Sequence, residues 1–257
     1  MIIKCKDIAG FIEGFAPLNI AEEWDNVGLL LGSLNNDVGR VMVCLDATTE
    51  TIDEAISKNA NLIITHHPFI FKGLKRISID DYLGKNISKL IKNGISIYSA
   101  HTNLDMAVGG VNQCLAEAIG ISDLRDIKEF GLGKIGVLKD CVSLENFISL
   151  VKSKLNTSTV RLIGNLNKEI KKVAVFCGSF DESMISLIKN QADILVTGDI
   201  KYHTSLDLVE NGICTIDAGH FNTEFIIVSH LIRLLQDKFL SVEFFGSGVE
   251  KDPFKFI

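Results

Sequence analysis

Residues 41–65 read VMVCLDATTETIDEAISKNANLIIT. Two apolar runs, Val41–Leu45 and Leu62–Ile64, have the length and composition of buried strands. Between them, Glu50–Asn59 reads as a helix, with Thr48 placed to cap it and Thr49 and Thr51 as rivals. Connections this short between two strands through a helix predict a parallel, right-handed crossover. The pattern then recurs. Residues 173–197, VAVFCGSFDESMISLIKNQADILVT, align with 41–65 without a gap. The following segments match as well: Asn93-Gly94-Ile95 with Asn211-Gly212-Ile213, and Ser99-Ala100-His101 with Asp217-Ala218-Gly219-His220. The reading is an α/β chain made of two related lobes, residues 1–125 and 126–257, facing each other across a shared cleft.

The polar residues gather where these strands end. Ile63-Ile64-Thr65 runs into His66-His67-Pro68. Pro68 has no N–H and pushes His67 towards an extended or turn conformation, so the strand stops and leaves both rings at its carboxyl end. In α/β sheets that end is where ligands bind. Further on, His101-Thr102-Asn103-Leu104-Asp105 and His220-Phe221-Asn222-Thr223-Glu224 share the pattern H-x-N-x-[D/E]. Four residues are about one helical turn, so a short helix would turn each His and carboxylate the same way. Pooling His66, His67, His101, Asp105, His220 and Glu224 gives imidazoles and carboxylates without a thiolate. That set suits Zn²⁺, Mn²⁺, Fe²⁺, Co²⁺ or Ni²⁺ and is too rich in nitrogen for a Ca²⁺ or Mg²⁺ cage. Six donors fit two ions better than one, and two ions about 3.5–4 Å apart activate water for hydrolysis. The plainer alternatives are a core or ligand-orienting role for His101, and helix capping or dipole pairing for Asp105 and Glu224. His203 can orient substrate, donate a proton or belong to a surface loop; His230 falls on the apolar face of a helix.

The rest of the chain frames these segments. Helices are expected over Lys4–Phe15, Tyr82–Asn93, Val108–Ile119 and from a Ser143 cap to Leu155. Strands are expected over Val27–Leu31, Ile95–Ser99 and Ile135–Leu138. Trp24 reads as a core or interface anchor. Gly131, Gly133 and Gly136 spell G-x-G-x-x-G, but no strand enters it and no helix leaves it, so the dinucleotide context fails.

Composition excludes several classes. A net charge of −6 disfavours a general nucleic-acid surface. The six cysteines are scattered without a C-x-x-C pair, and Cys44, Cys177 and Cys214 lie in apolar runs, which fits buried thiols in a reducing cytosol. No apolar run approaches the ~20 residues of a membrane span. The expectation is a soluble, cytoplasmic protein.

At this point the chain resembles a known family, the GTP cyclohydrolase I type 2 homologues, or Nif-three-like proteins. The matching stretches are Glu23-Trp24-Asp25-Asn26-Val27-Gly28-Leu29, Thr65-His66-His67-Pro68, Ser99-Ala100-His101-Thr102-Asn103-Leu104-Asp105, Thr197-Gly198-Asp199-Ile200-Lys201-Tyr202-His203 and Ala218-Gly219-His220-Phe221-Asn222-Thr223-Glu224. They occur in the expected order over nearly the whole chain. The resemblance implies two α/β lobes around a dinuclear site holding two divalent ions per subunit. It also implies a hexameric toroid. Carried over by motif, His66, His67, Asp105, His220 and Glu224 are the metal ligands. Glu224 would be the bridge, with His67 and Asp105 sharing one ion, and His66 and His220 the other. His101 lies beside the metals, and with Glu224 it forms the catalytic pair. The implied activity is hydrolysis of a small molecule, a nucleotide by the family name; the alternative is a non-enzymatic metal-binding, metal-delivery or adaptor protein. The segment between Ile121 and Lys172 is too short for the domain that longer members insert, so this is the compact form. Asp199 stands where the family often has Glu.

Overall fold

The computed structural model describes residues 2–127, 131–165, 167 and 169–256. The chain divides into two compact units, Met1–Val108 with Ile227–Lys251, and Gly109–Ile226 with Asp252–Ile257. These bounds differ from a single division at 125/126, because Ile121–Asp126 pairs with Lys134–Val142 in the second unit and Glu243–Gly246 pairs with Arg40–Cys44 in the first.

In the first unit the elements are α1 (Cys5–Phe15), β1 (Gly28–Leu31), β2 (Arg40–Cys44), α2 (Thr49–Ser57), β3 (Leu62–Thr65), α3 (Tyr82–Lys92), β4 (Ser96–Ser99) and the one-turn α4 (Thr102–Met106). In the second they are α5 (Val111–Ala118), β5 (Ile121–Asp126), β6 (Lys134–Val142), α6 (Leu144–Lys154), β7 (Arg161–Ile163), β8 (Ile170–Ser179), α7 (Ile185–Ile188), β9 (Ile194–Gly198), α8 (Tyr202–Glu210), β10 (Cys214–Asp217) and α9 (His220–Glu224). Then α10 (Ile226–Lys238) carries the chain back, and β11 (Glu243–Gly246) adds to the first unit.

The first sheet runs β1-β4-β3-β2-β11. All its neighbours are parallel except β1 against β4. Met42, Cys44, Ile63 and Ile97 pack on one face with Ile52 and Ala55 of α2 and Leu90 of α3. Strand alternation sends Val41, Val43, Leu62 and Ile64 to the other face, where they are also buried. Burial on both faces is why these strands read as unbroken apolar runs. The Thr48 hydroxyl accepts from the Thr51 N–H at 3.2 Å and caps α2 as expected. Asp81 caps α3 through the Gly84 N–H at 2.7 Å, and Gly94, with φ of 64°, ends it.

The second sheet runs β5-β6-β8-β9-β10-β7, with β8, β9 and β10 parallel and the flanking strands antiparallel. One face carries Val173, Val175, Ile194, Val196 and Ile216 against α5 and α6, with Phe147 fully buried. The other carries Ala174, Phe176 and Leu195 against Ile185 and Ile188 of α7 and Leu208 of α8. Ser143 caps α6 through the Asn146 N–H at 3.3 Å. The glycine string at 131–136 joins β5 to β6, two antiparallel strands, so no helix follows it.

The repeat survives in the register. Val41 pairs with Leu62, and Val173 pairs with Ile194, the same separation in both halves. In the second half the crossover helix is shorter: Glu182–Met184 form a 3₁₀ turn and only Ile185–Ile188 are α-helical. Of the two readings of Trp24, the core one fails: the residue is 58% exposed, in a turn over Glu23-Trp24 closed by the Asp25 N–H to Glu22 O bond at 2.9 Å. Among the described residues, no helix is long and apolar enough to cross a membrane.

Candidate metal centre

In the first unit, β3 ends at Thr65, yet the next two N–H groups bond to the last residue of β2 and the residue after it. His66 donates to Cys44 O at 3.2 Å and His67 to Leu45 O at 2.9 Å. The ladder gives way to a bend at His66 and His67, which these two bonds hold against the end of β2, and the two rings lie with their centroids 5.0 Å apart and their planes 46° apart. His66 is 1% exposed and His67 is partly open. His101 occupies the N-cap of α4, and its ring lies 5.2 Å from His66 and 5.6 Å from His67. One ring nitrogen from each of the three lies within 4.8 Å of the others. Asp105, one turn along α4, brings Oδ1 to 3.5 Å from His66 Nε2. His66, His67, His101 and Asp105 are thus brought together, as the strand-end argument requires.

Each ring is fixed through its other nitrogen. His66 Nδ1 donates to Ala100 O at 2.9 Å, His67 Nδ1 to Asp46 at 3.0 Å and His101 Nδ1 to Asp25 at 2.9 Å. An Nδ1–H donated to oxygen places the lone pair on Nε2, the tautomer a metal requires. Asp25 also accepts from the Thr102 N–H at 3.0 Å and from its hydroxyl. Burial pushes the Asp25 carboxyl up, but the bonds from His101 and Thr102 outweigh it and bring the pKa down to about 2. Asp46 is itself steadied by Glu250, whose carboxylate accepts from Leu45 N at 2.9 Å and Asp46 N at 2.7 Å. Burial raises the Glu250 pKa. The H-x-N-x-[D/E] asparagines are structural: Asn103 Oδ1 accepts from His101 N at 2.9 Å, and Asn222 Nδ2 donates to Ala218 O at 3.0 Å.

The second unit supplies His220 and Glu224, both on the one-turn α9, with His220 Nε2 3.1 Å from Glu224 Oε2. His220 Nδ1 donates to Asp199 at 2.9 Å, the same device as in the first unit. Asp199 does this from a left-handed backbone, φ 48°, a conformation Asp tolerates better than most residues. Glu224 is buried against Gly178 (φ 63°), where an added Cβ would lie 2.2 Å from its Oε1. Only glycine leaves room for this carboxylate. Gly178 N also donates to Thr223 Oγ1 at 3.0 Å, which pins α9 to the end of β8.

His203 sits in the first turn of α8 with its ring 5.4 Å from Tyr202, and His230 lies within α10. Sequence reasoning missed Asp25 and Asp46 as ring holders and Glu250 as the support of Asp46. The signal for Asp46 was present, since it follows β2 at the same sheet edge as His66. Cys44, Cys177 and Cys214 are unbridged as expected; Cys44 and Cys214 are buried, whereas Cys177 is only half-buried.

The model of the Duf34/NIF3 (NGG1p interacting factor 3) family matches residues 3–253. The chain belongs to the Duf34/NIF3 family. Relatives named GTP cyclohydrolase 1 type 2 homolog agree with this. That of Clostridium perfringens is 39% identical over 262 residues, covering 99% of this chain and 100% of the relative. That of Clostridium acetobutylicum is 37% identical, with both chains covered in full. Among solved structures, a Bacillus cereus protein related to NIF3 superposes with a TM-score of 0.93 at 29% identity, with both chains fully covered. A Staphylococcus aureus hypothetical protein gives 0.93 at 32% identity, also over 100% of both chains. Within the Duf34/NIF3 fold, the His-rich strand end and the His–Glu turn are this chain's candidate metal-binding groups.

Proposed function

We propose that this chain holds two divalent first-row transition-metal ions and hydrolyses a small molecule with them. The observation that carries the reading is the shared orientation of four imidazoles. His66, His67, His101 and His220 each give Nδ1 to an oxygen, which fixes the metal-binding tautomer. The donor set fits the group: imidazole and carboxylate together, with Gly178 clearing space for Glu224. In this reading His66, His67, Asp105, His220 and Glu224 would hold the ions. Bound ions would acidify a water and offset negative charge developing on the substrate. The chain's own contribution is positional. Asp25 orients the His101 ring, so that Nε2 can take or return a proton beside the ligands. The names of the Clostridium relatives point to a nucleotide as the substrate. The resemblance also supports a homo-hexamer, to be checked by light scattering on the purified protein.

The test pairs metal analysis of anaerobically purified protein with turnover of a nucleotide and phosphoester panel. Two ions per chain are expected, and Glu224→Gln should cut turnover by about 100-fold or more. Turnover that persists in fully demetallated protein overturns the proposal.

A further inference from the structure

The second unit contains a cavity of about 390 Å³ that the ligand set does not use. Its walls come from Thr159–Arg161, Asp199, Asp217–Gly219, and Phe254 and Phe256 near the C-terminus. It lies at the carboxyl ends of the parallel strands β9 and β10, the edge where α/β sheets receive ligands. Its volume falls in the range of small-molecule sites, roughly 300–1,000 Å³. It also shares a wall with the candidate metal centre. Asp199 lines the cavity and holds His220 Nδ1, and Gly219 directly precedes His220.

The chemistry of the walls is specific. Phe254 and Phe256 are 70% and 65% exposed, and the Phe254 N–H donates to Asp252 at 2.8 Å, which anchors the turn that presents them. Two exposed aromatic rings at the mouth of a cavity are suited to stacking a flat ligand. Arg161 uses Nη2 to reach Ile200 O at 3.0 Å and Asp217 Oδ2, yet its side chain stays 63% exposed. A guanidinium has five N–H donors, so donors remain for a carbonyl or imine edge. Asp217 is occupied by Arg161 and by the N–H groups of Ile200 and Gly219, both at 3.0 Å. Asp199, half exposed, offers carboxylate acceptors to a ring N–H. This lining suits an occupant that is flat and carries acceptor and donor edges together.

We propose that this cavity binds a flat nitrogen heterocycle of nucleobase type. The ring stacks on Phe254 and Phe256, turns its carbonyl or imine edge to Arg161 and its N–H edge to Asp199. This deepens the reading of a metal-dependent protein acting on a small molecule, by placing the organic part of that molecule beside His220.

Inosine is the probe and ribose its control, since neither carries a phosphate that could bind metal. Each is titrated calorimetrically into the full chain, with metal content measured on the same preparations. Inosine should bind and ribose should not. Phe254→Ala and Arg161→Met should each weaken inosine by about fivefold or more, with metal content and far-ultraviolet circular dichroism unchanged. Equal inosine affinity in both variants overturns the proposal. So does ribose binding as tightly as inosine, or no inosine heat up to millimolar concentration. Inosine binding that follows the variants in a protein devoid of metal sustains the cavity and removes the metal reading, so the two fail separately.

Discussion

The two halves share a strand–helix–strand unit and its register, yet the same positions do different work. At the end of the second strand, one half has His66-His67 and the other has Gly198-Asp199. The reason is steric. A Cβ on Gly198 would lie 2.5 Å from Gly178 O and 2.6 Å from His220 N, both backbone atoms that cannot move aside. The second half closes its strand end with backbone and so leaves no place for a ring. The preceding strand shows the reverse trade. Asp46 holds His67 in the first half, and its counterpart Gly178 makes room for Glu224 in the second. The first half thus holds two of its rings through Asp46 and Asp25, and the second holds one ring through Asp199 and seats Glu224 where Gly178 has no side chain. Duplication supplied the frame, and a few size changes at strand ends divided the labour.

The comparison can be broken most severely at Gly198. Gly198→Ala should destabilise the protein by about 3 kcal/mol or more, since the added methyl meets the Gly178 carbonyl oxygen and the Gly219–His220 peptide, all within 2.7 Å. Denaturant titration reads this, and an unchanged midpoint would show that the strand end is not closed by packing.

Two of the three ring-holding carboxylates, one from each half, come next. Asp46→Ala and Asp199→Ala should each weaken metal binding by about 10–100-fold, the first through His67 and the second through His220. Chelator competition measures both. An effect in only one half would mean that the two orienting bonds are not equivalent.

The smallest effect tests a feature with no counterpart. Glu54 on α2 accepts from Lys58 at 2.8 Å, Ser247 at 2.6 Å and Gly248 N at 3.0 Å, whereas the matching residue in the second half is the uncharged Ser186. Burial pushes the Glu54 carboxyl up, but these bonds outweigh it and lower the pKa to about 2. Because the folded value lies below the unfolded one, the carboxylate stabilises the fold above about pH 4.5, and this is lost as pH falls towards 2. Glu54→Gln should cost about 2 kcal/mol at pH 7 and flatten the decline in stability between pH 5 and 2. A wild-type slope retained in the variant would assign that decline to other carboxylates.

Much of this architecture is written locally. The buried strands are apolar runs because both faces are covered, and the caps at Thr48 and Ser143 need only their own next turn. The two one-turn helices α4 and α9 follow from H-x-N-x-[D/E], where each asparagine ties its own turn. What escaped the sequence is bonded at long range. Asp25 meets His101 across 76 residues, and Glu250 reaches Leu45 and Asp46 across more than two hundred. No periodicity encodes such pairs. The exposure of Trp24 is a related case: its apolar surface suggests the core or an interface, and the turn over Glu23-Trp24 keeps it out of the core.

The position of β11 has a consequence for how the protein is made. Strand β2 is near the N-terminus, but its outer neighbour in the sheet is Glu243–Gly246. During synthesis the first unit leaves the ribosome with β2 as an open, apolar edge, and the whole second unit must emerge before that edge is paired. The second sheet, by contrast, draws every strand from Ile121–Asp217 and is complete earlier. A nascent chain halted just after Glu224 would therefore carry its most vulnerable surface in the half that was translated first.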